Sequence, residues 1–181
     1  MASPISFLSI LIIPLLVTPL FYDVSNADQA LVEKICAQSM DHDYCVSVIL
    51  SDPEGLTNVL YRLGLVITSV SLKLIPTING EIGNALIKAT NPLVRTRITS
   101  CQADIDGIIE DFNQARTAAG SQSYHEEAKY LSYAQDKIAA CNARFKAAPA
   151  TSSPITSNTF KIEALIGISA IILTATTTSH R

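Results

Sequence analysis

The longest apolar repeat in the chain starts at Leu56 and predicts a helix that continues to about Thr90. Its apolar residues recur at intervals of three and four positions, the spacing of one helical face; they are Leu56, Leu60, Leu63, Ile67, Val70, Leu74, Ile78, Ile82 and Leu86. Asp52-Pro53 is typical of a helix start, because proline is tolerated in a first turn. A proline inside a helix costs about 3 kcal/mol. We therefore predict one long helix with a kink or a break near Pro76.

Two further repeats predict a pair of helices that pack against each other. Asn91-Pro92 supplies a cap and a first-turn proline for the first of them, and Gly120-Ser121-Gln122 ends it. Ser123 and Glu126 have the spacing of a capping box at the start of the second. The inner row of the first helix is Val94, Ile98, Cys101, Ile105, Ile108, Phe112, Ala115 and Ala119, and that of the second is Leu131, Ala134, Ile138, Cys141 and Phe145.

The apolar stretch near the start of the chain predicts a signal peptide. Residues 5–17 have the length of a secretory hydrophobic region and are shorter than the ~20 residues that span a bilayer. Ser25 and Ala27 are small, so we predict cleavage after Ala27, with residues 1–27 as the leader and 28–181 as the mature chain. An N-terminal membrane anchor is the alternative.

A second apolar stretch, residues 160–175, has two interpretations. It is either the last core helix, capped by Asn158 or Thr159, or the hydrophobic tail of a lipid-anchor signal. Lys161, Glu163 and the polar last residues favour the core helix. Because no stretch alternates with a period of two, we predict an all-α fold. It is a four-helix up-and-down bundle (53–181) preceded by a disulfide-closed helical hairpin (28–52).

Composition and cysteine content narrow the function. A net charge of −3 provides no electrostatic footprint for nucleic acid. All four cysteines, Cys36, Cys45, Cys101 and Cys141, follow the leader, which indicates two disulfides formed in an oxidising compartment. Three pairings are possible, and pairing of sequence neighbours is the simplest.

Nothing in the chain predicts catalysis. Asp41-His42-Asp43 looks superficially like a metal or catalytic cluster, but short Asp/His segments are usually solvated turns. The sequence contains no HExxH and no nucleophile elbow. Four acids, Asp104, Asp106, Glu110 and Asp111, are predicted on an outer helix surface. We therefore expect a protein that is not an enzyme and that binds neither a cofactor nor a metal.

The cysteine framework and its surroundings identify a resemblance. Cys36 and Cys45 with Tyr44, then Ser51-Asp52-Pro53, a long helix and two helices carrying Cys101 and Cys141 resemble the plant invertase and pectin methylesterase inhibitor family over the mature chain. The resemblance implies the disulfides Cys36–Cys45 and Cys101–Cys141. It also implies a secreted inhibitor in the apoplast that forms a 1:1 complex by covering the cleft of a carbohydrate-acting enzyme.

Two targets are compatible with that resemblance. Invertase inhibitors typically carry Pro-Lys-Phe ahead of the third bundle helix, where this chain has Ser123-Tyr124-His125-Glu126. The resemblance therefore favours pectin methylesterase, with acid invertase in the apoplast or vacuole as the alternative. A small helical carrier of apolar ligands and a lipid-anchored surface protein are alternatives of another class; carriers usually have eight cysteines.

The resemblance also implies where the enzyme binds, namely on the second and third bundle helices. The outward residues of these helices are the predicted contacts, with a solvated helix face as the alternative. Tyrosine is favoured at interfaces because it buries a large area and keeps a polar group. The predicted contacts are Ala103, Asp106, Gly107, Glu110, Gln114, Tyr130, Tyr133 and Lys137.

Overall fold

The computed structural model describes residues 28–179, and the regular structure in that range is entirely helical. The predicted leader, residues 1–27, lies outside the described residues. The predicted all-α fold is confirmed. The elements are α1 (28–36), α2 (His42–Ile49), a 3₁₀ turn (Pro53–Gly55), α3 (Leu60–Lys88), α4 (Pro92–Gly120), α5 (Tyr124–Lys146) and α6 (Thr156–Ser179).

Helices α3 to α6 form the bundle. Short connections at 89–91 and 121–123 make α3, α4 and α5 successive antiparallel neighbours. α3 packs against α4 and α6, and α5 packs against the same two helices, so the four helices surround one core. The predicted inner rows of α4 and α5 lie in this core, where Val94 is partly buried and the other members are buried.

The C-terminal apolar stretch is the core helix α6. By length and composition alone α3 and α6 are each long and apolar enough to cross a membrane, but about half of each apolar window is buried inside the protein. Ile162, Leu165 and Ile168 are fully buried. The predicted caps were wrong, because α6 begins at Thr156, ahead of both. The Asn158 side chain donates to Glu81 Oε2 at 2.7 Å instead.

The N-terminal hairpin shares the core of the bundle. Cys36 in α1 and Cys45 in α2 form one disulfide, and Cys101 in α4 and Cys141 in α5 form the other. Ile35 from α1 and Ile49 from α2 are buried in the same cluster as the bundle residues, and α2 contacts α3 and α6. The hairpin is therefore held by apolar packing as well as by its disulfide.

The start of α3 differs from the prediction. Asp52 and Pro53 begin the 3₁₀ turn, in which the Asp52 carboxylate accepts from the Glu54 amide at 3.1 Å, and α3 begins only at Leu60. Gly55 passes so close to α2 that a Cβ there would lie 2.0 Å from the carbonyl oxygen of Ile49. This crossing delays the helix, so Leu56 is half exposed and does not belong to the inner row.

The proline in α3 does not end the helix. α3 continues through Pro76, so the predicted break is absent. Ile75, Ile78 and Ile82 around the proline are buried on one face, while Pro76 itself is exposed. Packing of that face compensates for the hydrogen bond that proline removes, which costs about 3 kcal/mol in an isolated helix.

The predicted capping box at the start of α5 is also absent. Ser123 precedes the helix, but its side chain makes no capping hydrogen bond. Its hydroxyl accepts from Ser121 Oγ at 3.1 Å, and the Glu126 carboxylate binds Lys129. Both side chains therefore have other partners, and the turn between α4 and α5 is made instead by Gln122 in the left-handed region, with φ of 55°.

A buried arginine holds the segment between α5 and α6. Arg97 of α4 is only 7% exposed, and its guanidinium donates to Thr151 Oγ1 at 2.7 Å and to the carbonyl oxygens of Ala147 and Pro149 at 3.0 and 3.1 Å. These acceptors follow the end of α5. The Arg97 side chain thus supplies hydrogen-bond donors to three acceptors in a segment that has no regular structure of its own.

Replacing Arg97 with alanine is expected to lower the free energy of unfolding by about 3 kcal/mol, because three acceptors lose a charged donor. Urea denaturation followed by circular dichroism measures the change. Arg116 on the same helix is exposed and serves as the matched control, with an expected change within about 0.5 kcal/mol for Arg116→Ala. Equal effects of the two substitutions would contradict this role of Arg97.

Candidate functional site

The predicted contact surface lies on α4 and α5, and two kinds of link hold these helices together. The Cys101–Cys141 disulfide joins their buried faces with a Cα–Cα distance of 4.8 Å. Beside it, the Arg144 guanidinium of α5 binds both carboxylate oxygens of Asp104 on α4. A bidentate arginine–carboxylate pair restricts orientation as well as distance. The surface is therefore a rigid one.

The predicted residues of α4 do not all share one direction. Ala103, Glu110 and Gln114 are exposed, and Gln114 Nε2 donates to Glu110 Oε1 at 2.8 Å. Asp106 is turned towards α3, where it accepts from Asn79 Nδ2 at 2.9 Å. Gly107 is turned towards α5 and lies under Lys137. The structure thus brings Gly107 together with the predicted residues of α5 and separates Asp106 from them.

Lys137 crosses from α5 to α4 and binds an acid there. Its Nζ lies 2.6 Å from Asp111 Oδ2, and Asp111 is only 7% exposed. The prediction that Asp104 and Asp111 lie on an outer surface was wrong, because both face α5 and pair with its cations. Desolvated pairs of this kind are costly to break from one side, because the remaining charge stays buried.

Two tyrosines continue the surface along α5. The rings of Tyr130 and Tyr133 meet edge to face with centroids 6.1 Å apart. Lys129 Nζ lies 4.8 Å from the Tyr130 centroid, and Lys137 Nζ lies 5.9 Å from that of Tyr133, so each ring has an ammonium group at its face. We call Lys129, Tyr130, Tyr133 and Lys137 the α5 strip. Tyr133 is its most open aromatic ring, with 47% of its surface exposed.

Three residues of this surface were not among the predicted contacts, namely Asp111, Lys129 and Glu126. A signal for Asp111 was present, because it follows Asp104 by seven residues beside the inner row, while Lys137 precedes Arg144 by seven. In an antiparallel helix pair these two spacings bring opposite charges together twice. Lys129 and Glu126, three residues apart on α5, have the ordinary spacing of a helical ion pair.

One acid on α5 has a different environment. Glu127 lies on the inner face beside Leu131 and is only 4% exposed. Burial raises the pKa of its carboxyl to about 7, since desolvation disfavours the charged form. This carboxyl is therefore largely protonated in the folded protein at acidic pH.

The histidine cluster of the hairpin lies on other elements. Asp41 caps α2 by accepting from the Tyr44 amide at 2.9 Å. His42 lies between Glu33 of α1 at 2.9 Å and Asp43 at 3.1 Å, and hydrogen bonds to Asp43 and Glu33 raise its pKa. Both contacts are solvent-exposed. Within residues 28–179 no group of three or more His, Cys, Asp or Glu side chains has the geometry to hold a metal ion.

Comparison with known proteins gives consistent results over most of the chain. The family described as plant invertase/pectin methylesterase inhibitor matches residues 30–172. A pectinesterase inhibitor from Actinidia deliciosa is 26% identical over 170 residues, covering 92% of this chain and 90% of that protein.

Two solved structures share the fold at 16% sequence identity. One is the crystal structure of mutant form A of a pectin methylesterase inhibitor from Arabidopsis, with a TM-score of 0.64 over 77% of this chain and 93% of the other. The second is a pectin methylesterase inhibitor from Arabidopsis thaliana, with a TM-score of 0.56 over 80% of this chain and 95% of the other. These likenesses establish the fold of the helices described above.

The buried Glu127 makes a prediction about pH. Between pH 4.5, the ordinary pKa, and about pH 7 the folded protein keeps a proton that the unfolded chain has lost, so this group lowers stability as pH rises. Glu127→Gln is therefore expected to raise the free energy of unfolding at pH 8 by at most about 3 kcal/mol, and to change it little at pH 4. Urea denaturation at both pH values measures the difference.

The control for this measurement is Glu54→Gln, since Glu54 is exposed in the 3₁₀ turn. Its effect on stability is expected to be the same at both pH values. A Glu127→Gln variant that gains no more stability at pH 8 than at pH 4 would show that burial does not raise the pKa of this carboxyl.

Proposed function

The chain belongs to the plant invertase/pectin methylesterase inhibitor family, and on that basis we propose that it is a secreted inhibitor of pectin methylesterase. The observation that carries the proposal is the extent of the match. It begins within α1 and ends within α6, and the similar protein from Actinidia deliciosa, named pectinesterase inhibitor, has nearly the same length. The whole described domain therefore corresponds to the inhibitor.

We propose that the surface formed by α4 and α5 covers the active-site cleft of the enzyme. Such a surface binds best when little side-chain order has to be gained on contact. The Cys101–Cys141 disulfide and the Asp104–Arg144 and Asp111–Lys137 pairs supply that order. Ala103, Glu110 and Gln114 of α4 are exposed beside the α5 strip and complete the surface. Asp106 contributes from its edge.

The beginning of α5 supports pectin methylesterase as the target. It reads Ser123-Tyr124-His125-Glu126 and lacks the Pro-Lys-Phe sequence expected of invertase inhibitors. Tyr124 is partly buried against the core, so it supports the turn as well as the surface. Acid invertase is the alternative target, since the family includes inhibitors of both enzymes.

We place the working protein outside the cell, in the plant cell wall. Four fully buried cysteines in two disulfides require an oxidising compartment during folding. On this proposal residues 1–27 direct export, residues 28–52 form the hairpin and residues 53–181 form the bundle of a single inhibitory domain. The protein itself has no catalytic role, and it acts as one inhibitor molecule on one enzyme molecule.

Residues 28–181, folded with both disulfides, are expected to abolish methanol release by a plant pectin methylesterase at a molar ratio of one to one. Acid invertase treated in parallel is expected to keep its rate of sucrose hydrolysis. Titration of each enzyme with the protein, followed by size-exclusion chromatography of the mixture, measures inhibition and complex formation together. Inhibition of invertase alone would establish the alternative target, and no effect on either enzyme would refute the proposed function.

A further inference from the structure

Gly107 occupies a place where the chain of Lys137 lies directly on the α4 backbone. A Cβ added at Gly107 would lie 2.8 Å from Lys137 Cε and 3.1 Å from Cδ, distances at which one of the two groups must move. Glycine in the middle of a helix destabilises it relative to alanine. Its presence here is explained by the crossing of Lys137, for which only a residue without a side chain leaves room.

Gly107 is therefore not an open contact residue. Its position on the outward row of α4 predicted contact with a partner, but the aliphatic part of Lys137 covers it. The crossing instead allows the Lys137 ammonium to reach Asp111, which is buried at the far side of the α4–α5 seam, at 2.6 Å. The same ammonium lies 5.9 Å from the centre of the Tyr133 ring.

From this geometry we infer that Gly107 and Asp111 are positioning residues for the binding of the target enzyme. They hold Lys137 across α4, and Lys137 in turn sets the direction of Tyr133, the most exposed ring of the α5 strip. The inference rests on the proposed function, because it concerns the part of the proposed inhibitory surface that must be ordered for binding. Tyr133 and Lys137 are the residues that touch the enzyme, and Gly107 and Asp111 act through them.

The two ends of the α5 strip differ in how firmly they are held. At one end Lys129 pairs with Glu126 three residues away, and both side chains are more than a third exposed. Such pairs fix little. At the other end Lys137 pairs with an acid that is only 9% exposed in its side chain and that belongs to a different helix. Of these two pairs, the second ties the strip to α4, and the orientation of Tyr133 depends on it.

The partner chemistry follows from the exposed groups. Tyr133 offers an aromatic edge and a hydroxyl, and the neighbouring ammonium groups of Lys129 and Lys137 add donors but no acceptors. A partner surface that matches these groups offers acceptor oxygens to the ammonium groups and an apolar face to the ring. The strip therefore fits a cleft that is lined by acceptor oxygens beside an apolar face.

Gly107→Ala is the sharpest test of this inference. The atoms that a methyl group displaces are the far end of a flexible side chain, so the fold is expected to persist, with an unfolding midpoint within about 4 °C of the unmodified protein. Inhibition of pectin methylesterase is expected to weaken about tenfold, as for loss of an ordered interface residue. Asp111→Asn, which adds no volume, is expected to weaken it in the same direction.

Gly80→Ala in α3 is the matched control. Gly80 is also a helical glycine, but no other described residue lies within 4 Å of a Cβ placed there. This substitution is expected to raise the unfolding midpoint and to leave inhibition unchanged. A general effect of helical glycines on inhibition would appear in both variants, and an effect of the Lys137 crossing appears only in Gly107→Ala.

Two readouts separate positioning from a merely structural role. In the free protein, nuclear Overhauser contacts between the Lys137 side chain and the Tyr133 ring are expected in the unmodified chain and lost in Gly107→Ala and Asp111→Asn. In a double-mutant cycle, Gly107→Ala is expected to weaken inhibition less than twofold once Lys137→Ala is present, since the substitution acts through that side chain.

Three results would overturn the inference while the proposed function stands. They are unchanged inhibition by Gly107→Ala and Asp111→Asn, retained Lys137–Tyr133 contacts in both variants, and full additivity of Gly107→Ala with Lys137→Ala. Failure of the unmodified protein to inhibit pectin methylesterase refutes the proposed function itself.

Discussion

The register between α4 and α5 is the constraint on which the rest of the structure depends. Cys101 and Cys141 fix it covalently inside the core. The ion pairs Asp104–Arg144 and Asp111–Lys137 favour the same register on one side of the seam. The two acids are seven residues apart on α4, and the two cations are seven residues apart on α5, which runs in the opposite direction. A shift by one turn would break both pairs and leave the buried Asp111 without a cation. The disulfide and the ion pairs therefore specify one alignment, and the order of the α5 strip follows from it.

Most of the fold could be predicted from the sequence because helical burial is periodic. The inner rows of α4 and α5 were read directly from intervals of three and four residues, and Asn91-Pro92 begins α4 as its sequence indicates, with the Asn91 side chain accepting from Leu93 at 2.9 Å. The C-terminal apolar stretch was predicted to be a core helix for another reason, the charges of Lys161 and Glu163, although α6 is apolar enough for a membrane. Local patterns suffice where burial on one face is the dominant energy.

The parts that could not be predicted depend on particular contacts that compete with the local sequence pattern. Asp52-Pro53 has the local pattern of a helix start, but the close passage of Gly55 over Ile49 makes a 3₁₀ turn there. Ser123 and Glu126 have the pattern of a capping box, but Ser121 and Lys129 compete for them. In the candidate site, periodicity predicted that Asp111 and Gly107 are both exposed on the outer face of α4. The structure shows that the Lys137 side chain covers Gly107 and pairs with the buried Asp111. Helix propensity and residue spacing predict local structure poorly where a side chain has an alternative hydrogen-bond partner of similar energy.

Asp111 and Glu127 show how the same helix pair treats two buried acids in opposite ways. Asp111 has an ammonium group at 2.6 Å, so its charge is compensated in the low dielectric of the seam. Burial raises the pKa of the Glu127 carboxyl to about 7, because desolvation disfavours its charged form. This carboxyl is therefore neutralised by a proton at acidic pH. The charge of Asp111 is therefore compensated by Lys137, whereas the contribution of Glu127 near the start of α5 to stability depends on pH. Acidic pH is therefore the condition in which the buried Glu127 lowers the stability of the fold least.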